Sequence, residues 1–228
     1  MRIIALNMNH RTHAKASPPG FTKAILSPGP DLLVLTEFVE RPDDPAFLQA
    51  LEVGGLPHFA LSPRLPYSPG RWHNQGLIAS RSPLQTLPAP PNPPDRAAAT
   101  NILRVRVGGL RITGIRAPMY QKAAGWYRYW DWLSREVEAD VLIGDLNADP
   151  RRPRKRDRVL RTLAVTRGYR LADPQGDWSY RGLKGSEAKL DHVLPRGVRL
   201  DHARYVPEPF VSHFTDHAAL IADVCQGD

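Results

Sequence analysis

The chain of 228 residues carries 31 Lys and Arg against 23 Asp and Glu, a formal net charge of +8, with 42% hydrophobic and 24% charged residues. That balance excludes a disordered chain and suits one sizeable core, and the positive excess favours a polyanionic partner such as nucleic acid, unless it reflects genome composition alone. The single Cys225 excludes an internal disulfide framework or a cysteine-cluster metal site, and no apolar run approaches the ~20 residues of a membrane span. The opening MRIIALNMNH has too short an apolar run for a signal segment, so the expectation is a soluble, cytoplasmic, monomeric protein with one domain over residues 1–228.

Arg2 to Asn7 is an apolar run of strand length, and its alternation projects Asn7 and Asn9 together from the strand's end. Phe21 to Leu26 reads as a short helix closed by Pro28-Gly29-Pro30. Asp31 then opens LLVLTE, the continuous run expected of a strand buried on both faces, ending in Glu37. Asp44-Pro45 starts a helix with Phe47, Leu48 and Leu51 on its apolar stripe and Gly54-Gly55 at its end. Leu56 to Trp72 reads as a surface connection walling the site, and Asn74-Gln75-Gly76 leads into the short strand LIAS. The proline-dense Leu87 to Pro94 is a rigid connector between strands. Leu103 to Ile112 alternates around Gly108-Gly109 as a hairpin whose second arm runs on to Ile115 and Arg116. Trp126, Trp130, Leu133 and Val137 recur at helical spacing, so Ala123 to Ala139 is an amphipathic helix whose aromatic stripe belongs to the core rather than to a base-stacking surface. Val159, Leu160 and Leu163 predict a helix ending at Gly168, and strands follow at Leu190 to Leu194, Val198 to Val206 and Ala218 to Val224.

The stretch Val141 to Asp149, VLIGDLNAD, carries the chemistry. Three apolar residues and Gly144 end a buried strand, and the two-residue period places Asp145 and Asn147 on one side of its mouth. With Asn7, Asn9, Glu37, Asp191 and Asp216, the strand ends collect oxygen donors, and His192 and His217 adjoin the last two carboxylates. Any one of them alone is an ordinary cap or turn residue. Together, without thiolates, they suit a hard divalent cation, Mg²⁺ or Mn²⁺, acting on phosphate.

Six segments in order, NMN (Asn7–Asn9), PDLLVLTE ending at Glu37, NQGLIAS (Asn74–Ser80), GDLN (Gly144–Asn147), KLDHVL (Lys189–Leu194) and TDHAAL (Thr215–Leu220), resemble the endonuclease/exonuclease/phosphatase superfamily over nearly the whole chain. The resemblance implies a deoxyribonuclease-I-like, four-layer α/β sandwich of two packed mixed β-sheets flanked by helices. It further implies that Glu37 and Asn7 hold the metal with help from Asn9 and Asp216, that Asp145 activates water, that Asn147 and His217 contact the scissile phosphate, and that Asp191 orients the imidazole. Arg116, in GIRAPM, departs from the family, whose members often carry histidine or tyrosine there. An arginine can neutralise phosphoryl charge but cannot usefully donate a proton, and a plain strand-end salt bridge is the competing reading.

The basic run after GDLN, with Arg151, Arg152 and Arg154, reads either as a solvated segment or as a track for a nucleic-acid backbone. Trp178 and Tyr180 read either as walls for substrate or as core packing, and Asn74 is a candidate contact beside His73. His10, His13, His58, His202 and His213 lack such context. The expected function is therefore a metal-dependent phosphodiesterase, a nuclease on DNA or RNA. The rivals are a phosphoesterase for small or lipid phosphoesters and a nucleic-acid-binding protein without turnover.

Overall fold

In the first strand, β1 (Arg2–Asn7), Ile3 and Ala5 face one apolar cluster and Ile4 and Leu6 face another. A strand buried on both sides needs no polar alternation, which is why its sequence reads as one continuous run. The computed structural model describes residues 1–9, 20–39, 46–63, 74–119, 122–152 and 158–226. His10, His13, His73, Arg154 and the proposed Asp44-Pro45 helix start lie outside them.

Six strands form the first sheet in the order β12 (Val198–Val206), β13 (Ala219–Gln226), β1, β2 (Leu32–Phe38), β4 (Gln75–Ser80), β3 (His58–Leu61). Five form the second: β11 (Asp191–Pro195), β8 (Val141–Asp145), β7 (Leu110–Arg116), β6 (Ile102–Val107), β5 (Leu84–Thr86). Each sheet is mixed, with one parallel pair, β1–β2 in the first and β7–β8 in the second. The sheets pack face to face over Ile3, Val34, Ile78, Val105, Ile112, Val141, Val193 and Leu220.

Helices cover the outer faces. Phe21 and Ile25 of α1 (Phe21–Leu26) and Phe47 and Leu51 of α2 (Ala46–Val53) close the first sheet. Trp126, Trp130 and Leu133 of α4 (Ala123–Glu136), with Leu160 and Leu163 of α5 (Val159–Arg167), close the second, so the aromatic stripe is core. Helix, sheet, sheet, helix is the four-layer α/β sandwich that the resemblance implied.

Several short elements escaped the sequence reading. Between Leu56 and Trp72, where a surface connection was expected, β3 pairs with β4 as an edge strand. After the proline connector comes α3 (Arg96–Thr100), its first turn capped by Asp95, which accepts from Ala98 N–H at 2.9 Å. The two-residue strands β9 (Tyr180–Arg181) and β10 (Glu187–Ala188), and the one-turn helix α6 (Phe210–His213), are too short to show a period. Helix α4 ends at Glu136 rather than Ala139, because Val137 is already extended. His58 and His202 lie on the edge strands β3 and β12, as surface residues would. Among the described residues no helix is long and apolar enough to cross a membrane.

Candidate active site

The parallel pairs β1–β2 and β7–β8 deliver Asn7, Glu37, Arg116 and Asp145 to one cleft of about 320 Å³, which Asn9, Asn147, Arg152, Tyr180, Asp216 and His217 also line. For most of these the strand period suffices. Val141 and Ile143 face the inter-sheet core, so Asp145 faces the same side; Ile3 and Ala5 direct Asn7 in the same way. Glu37 does not follow its strand. Leu33 and Leu35 point outward, and alternation would send Glu37 after them. The β2–β4 register instead shifts between Leu35 and Phe38, and Glu37 adopts φ 54°, which turns its carboxylate to the cleft. Asn9 (φ 46°) and Asn147 (φ 49°) share this left-handed conformation, so local strain concentrates at the cleft.

Asp145 is buried and held from three directions. Its Oδ2 accepts from Asn7 Nδ2 at 3.0 Å and from Asn147 Nδ2 at 3.2 Å, and its Oδ1 from the Asn147 backbone N–H at 2.9 Å. Burial pushes the carboxyl up to about 6, with Asp191 adding to the rise and His217 and Arg116 opposing it. Asn147 also donates to the Ala117 carbonyl at 2.7 Å, so its amide already serves to lock Asp145 in place.

His217 meets Asp191 with Nδ1 2.8 Å from Oδ2. Burial alone would lower the imidazole, but Asp191 at this distance, with Asp145 and Asp216 beyond it, pushes it up to about 9. These carboxylates favour the protonated ring, whose Nε2 lies 3.9 Å from Asp216 Oδ1 on the cleft side. Tyr180 stacks obliquely on it, ring centroids 5.1 Å apart. The segment around β9 is fastened to the same loop: Arg181 N–H donates to the Asp216 carbonyl at 2.9 Å and Ala218 N–H to the Ser179 carbonyl at 2.7 Å.

The oxygens of Asn7, Asn9, Glu37 and Asp216 are the hard donors that Mg²⁺ or Mn²⁺ takes, and all four line the cleft. Among the described residues no group of three His, Cys, Asp or Glu side chains is placed to hold a metal ion by itself. A cation here would thus rely on two carboxylates, amide oxygens and water, a set that fits a hard ion and not zinc. One carboxylate oxygen is already engaged: Arg116 Nε lies 2.6 Å from Glu37 Oε1. The salt bridge and the cleft position of Arg116 coexist.

Not every candidate lines the cleft. Arg152 does, whereas Arg151 grips Asp149 through Nε (3.0 Å) and Nη2 (2.9 Å) and reaches the Asp177 carbonyl with Nη1 at 2.6 Å. Trp178 lies under the Arg181 guanidinium, 4.1 Å from the ring centroid, and Asn74 stands at the entry to β4. Neither is a lining residue.

The sequence reading missed Asp149, which lines the cleft, and the residues behind it. Buried Asp149, read only as a breaker, accepts from Arg151 and from Lys189 N–H at 3.2 Å; although burial opposes it, Arg151 holds this carboxyl below its ordinary range. His192 Nε2 lies 2.8 Å from the Ala148 carbonyl and 3.0 Å from that of Lys189. Ser179 Oγ accepts the N–H groups of Leu190 and Asp191, and Tyr205 donates to the Asp191 carbonyl at 2.8 Å. These bonds tie the GDLNAD loop to the strand that carries Asp191. Their only sequence signal is adjacency to the motifs.

Fold and cleft together define a deoxyribonuclease-I-like α/β sandwich with a polar site at the seam of its two sheets. The chain belongs to the Endonuclease/Exonuclease/phosphatase family, which it matches over residues 4–217. An AP endonuclease from Archaeoglobus fulgidus superposes with a TM-score of 0.73 at 16% identity, covering 98% of each chain. The 3'-5' exonuclease (NExo) from Neisseria meningitidis does so with a TM-score of 0.71 at 20% identity, over 98% of this chain and 99% of that one. A structure of the 3' phosphatase NExo from Neisseria bound to product DNA hairpin superposes with a TM-score of 0.71 at 19% identity, over 99% of both. Identities this low carry the fold. No curated protein matches the chain in sequence.

Proposed function

We propose that this protein is a divalent-metal-dependent phosphodiesterase and, within that class, a nuclease that hydrolyses DNA or RNA. The observation that carries this reading is the presence in one cleft of Asp145, with its three N–H donors, and of His217, backed by Asp191. The net charge of +8, neighbours named as an AP endonuclease and a 3'-5' exonuclease, and one named as a 3' phosphatase bound to a product DNA hairpin favour nucleic acid as the polyanion.

In this mechanism Asp145 accepts a proton from water as the water oxygen attacks phosphorus in line with the leaving oxygen. The bond from phosphorus to the leaving oxygen breaks, and that oxygen takes its proton from water in the cleft. His217 donates Nε2–H to a phosphoryl oxygen, and Asp191 keeps the ring protonated and aimed. Arg116 neutralises a second phosphoryl oxygen. Asn147 exchanges its longer bond to Asp145, 3.2 Å, for a contact with the phosphate. Glu37, Asn7, Asn9 and Asp216 would hold Mg²⁺ or Mn²⁺, which supplies charge neutralisation to the phosphate and leaving oxygen.

The test is a panel of single-stranded, duplex, abasic and 3'-phosphorylated DNA, RNA and small phosphodiesters with Mg²⁺ or Mn²⁺, using Asp145→Asn as the inactive control. Polynucleotide cleavage lost in the control supports the nuclease. Turnover of small diesters alone assigns a small-molecule phosphoesterase, and tight DNA binding without cleavage assigns a binding module.

A further inference from the structure

Arg116 and Glu37 arrive from different sheets, at the ends of β7 and β2, and meet with Nε 2.6 Å from Oε1. Both are withdrawn from water, their side chains 19% and 8% exposed. Arg116 Nε is buried, and its contact with Glu37 Oε1 is an ion pair. A guanidinium stays protonated at any pH a folded protein meets. The carboxylate best placed to bind a divalent ion therefore already carries a permanent cation.

Resting on the reading that the cleft binds a divalent cation, we propose that Arg116, besides meeting the phosphate, sets how tightly Glu37 binds that ion and couples ion binding to the arrival of an anionic phosphate. Without the ion, the guanidinium neutralises Glu37 and keeps its left-handed backbone (φ 54°) oriented toward the cleft. An incoming divalent charge must share the carboxylate with Arg116 and is repelled by it, so the ion binds weakly on its own. A phosphate in the cleft offers oxygens to both cations and relieves that repulsion. Ion and phosphate then strengthen each other's binding, as linkage between the two sites requires.

The experiment is calorimetric titration of Mn²⁺ into wild type, Arg116→Met, Arg116→Lys and Glu37→Gln, with and without phenylphosphonate as a phosphate probe that is not hydrolysed. Arg116→Met is expected to bind Mn²⁺ at least about tenfold more tightly than wild type in the absence of the probe, since like charges a few ångströms apart repel by at least that much. Phenylphosphonate is expected to tighten Mn²⁺ binding in wild type and in Arg116→Lys but hardly at all in Arg116→Met. Arg116→Gln serves in place of the methionine variant if circular dichroism shows that variant unfolded. Equal or weaker Mn²⁺ binding by the neutral variant, with Glu37→Gln binding lost, overturns the role of Arg116 and leaves the metal site standing. Undiminished binding by Glu37→Gln overturns the metal reading, and this proposal with it.

Discussion

Asp145 and Asp191 are register partners across the antiparallel pair β8–β11, two buried carboxylates of which Asp145 lines the cleft and Asp191 lies behind His217. They are kept distinct by what each touches. Asp145 receives amide N–H groups, whereas Asp191 receives His217 Nδ1 at 2.8 Å. In the proposed mechanism the first takes a proton and the second keeps one on the imidazole.

That division sets the pH profile. Burial pushes Asp145 up to about 6, and activity is expected to rise with pH through that region as the carboxylate ionises. Against the pull of burial, Asp191 pushes His217 up to about 9, and activity is expected to fall as pH climbs past it and the imidazolium is lost. The sign for stability agrees on the alkaline side: a histidine raised on folding contributes fully below its ordinary value near 6.5 and ceases to contribute above about 9. The limbs belong to the coupled cluster rather than to single residues. Asp191→Asn should move the alkaline limb of kcat/KM toward neutral pH; an unmoved limb separates His217 from the reaction.

Asp145→Asn removes the proposed proton acceptor with almost no change in volume. A loss of about 10²–10⁴ in kcat with KM little altered is expected, the usual contribution of a general base. Steady-state kinetics on the cleaved substrate measures it.

His192 should show in stability rather than in turnover. Burial pushes its imidazole below the ordinary value of 6.5, so the folded state holds it neutral while the unfolded chain takes up a proton. Stability should therefore drop as pH falls through about 6.5 toward the folded value. Glutamine at this position can still donate to one of the carbonyls and does not titrate. Urea midpoints at pH 7.5 and 5.5 should differ more for wild type than for His192→Gln.

Gly144 lies where no side chain fits. At φ 138° a Cβ would stand 2.1 Å from the Ile115 carbonyl oxygen, across the parallel β7–β8 pair. Gly144→Ala should cost several kcal/mol by overpacking and strain, with a fall in Tm or loss of soluble protein.

The two arginines after the motif should separate in experiment. Arg152→Ala removes a cleft cation and should lower the salt slope of polynucleotide binding by about one unit. Arg151→Ala leaves buried Asp149 short of its main partner, so its principal effect should be a lower Tm. Fluorescence anisotropy over a salt series and thermal melts distinguish the two.

Most of the frame is legible in the chain because the burial environment writes itself into residue type. Runs such as RIIALN and VLIGD are apolar on both faces because sheet packs on sheet within and helices pack without. The α4 stripe and the Gly108-Gly109 turn read correctly for equally local reasons, helical spacing in one and left-handed glycines in the other. The edge strands β3 and β5, the two-residue β9 and β10 and helix α3 left no such trace, since each holds too few residues to build a period and is stabilised by what it packs on.

The site divides along the same line. Residue order and strand period sufficed to nominate Asn7, Asp145 and Asp191, because those side chains simply continue the inward face of their strands. Only the tertiary structure decided that a register shift turns Glu37 inward, that Arg116 crosses from the other sheet to meet it, that Arg151 is engaged by Asp149, and that His192 fastens the GDLNAD loop from behind. Each of these depends on a contact between segments distant in sequence or on a backbone departure from regular geometry, and a periodic pattern along one strand contains neither.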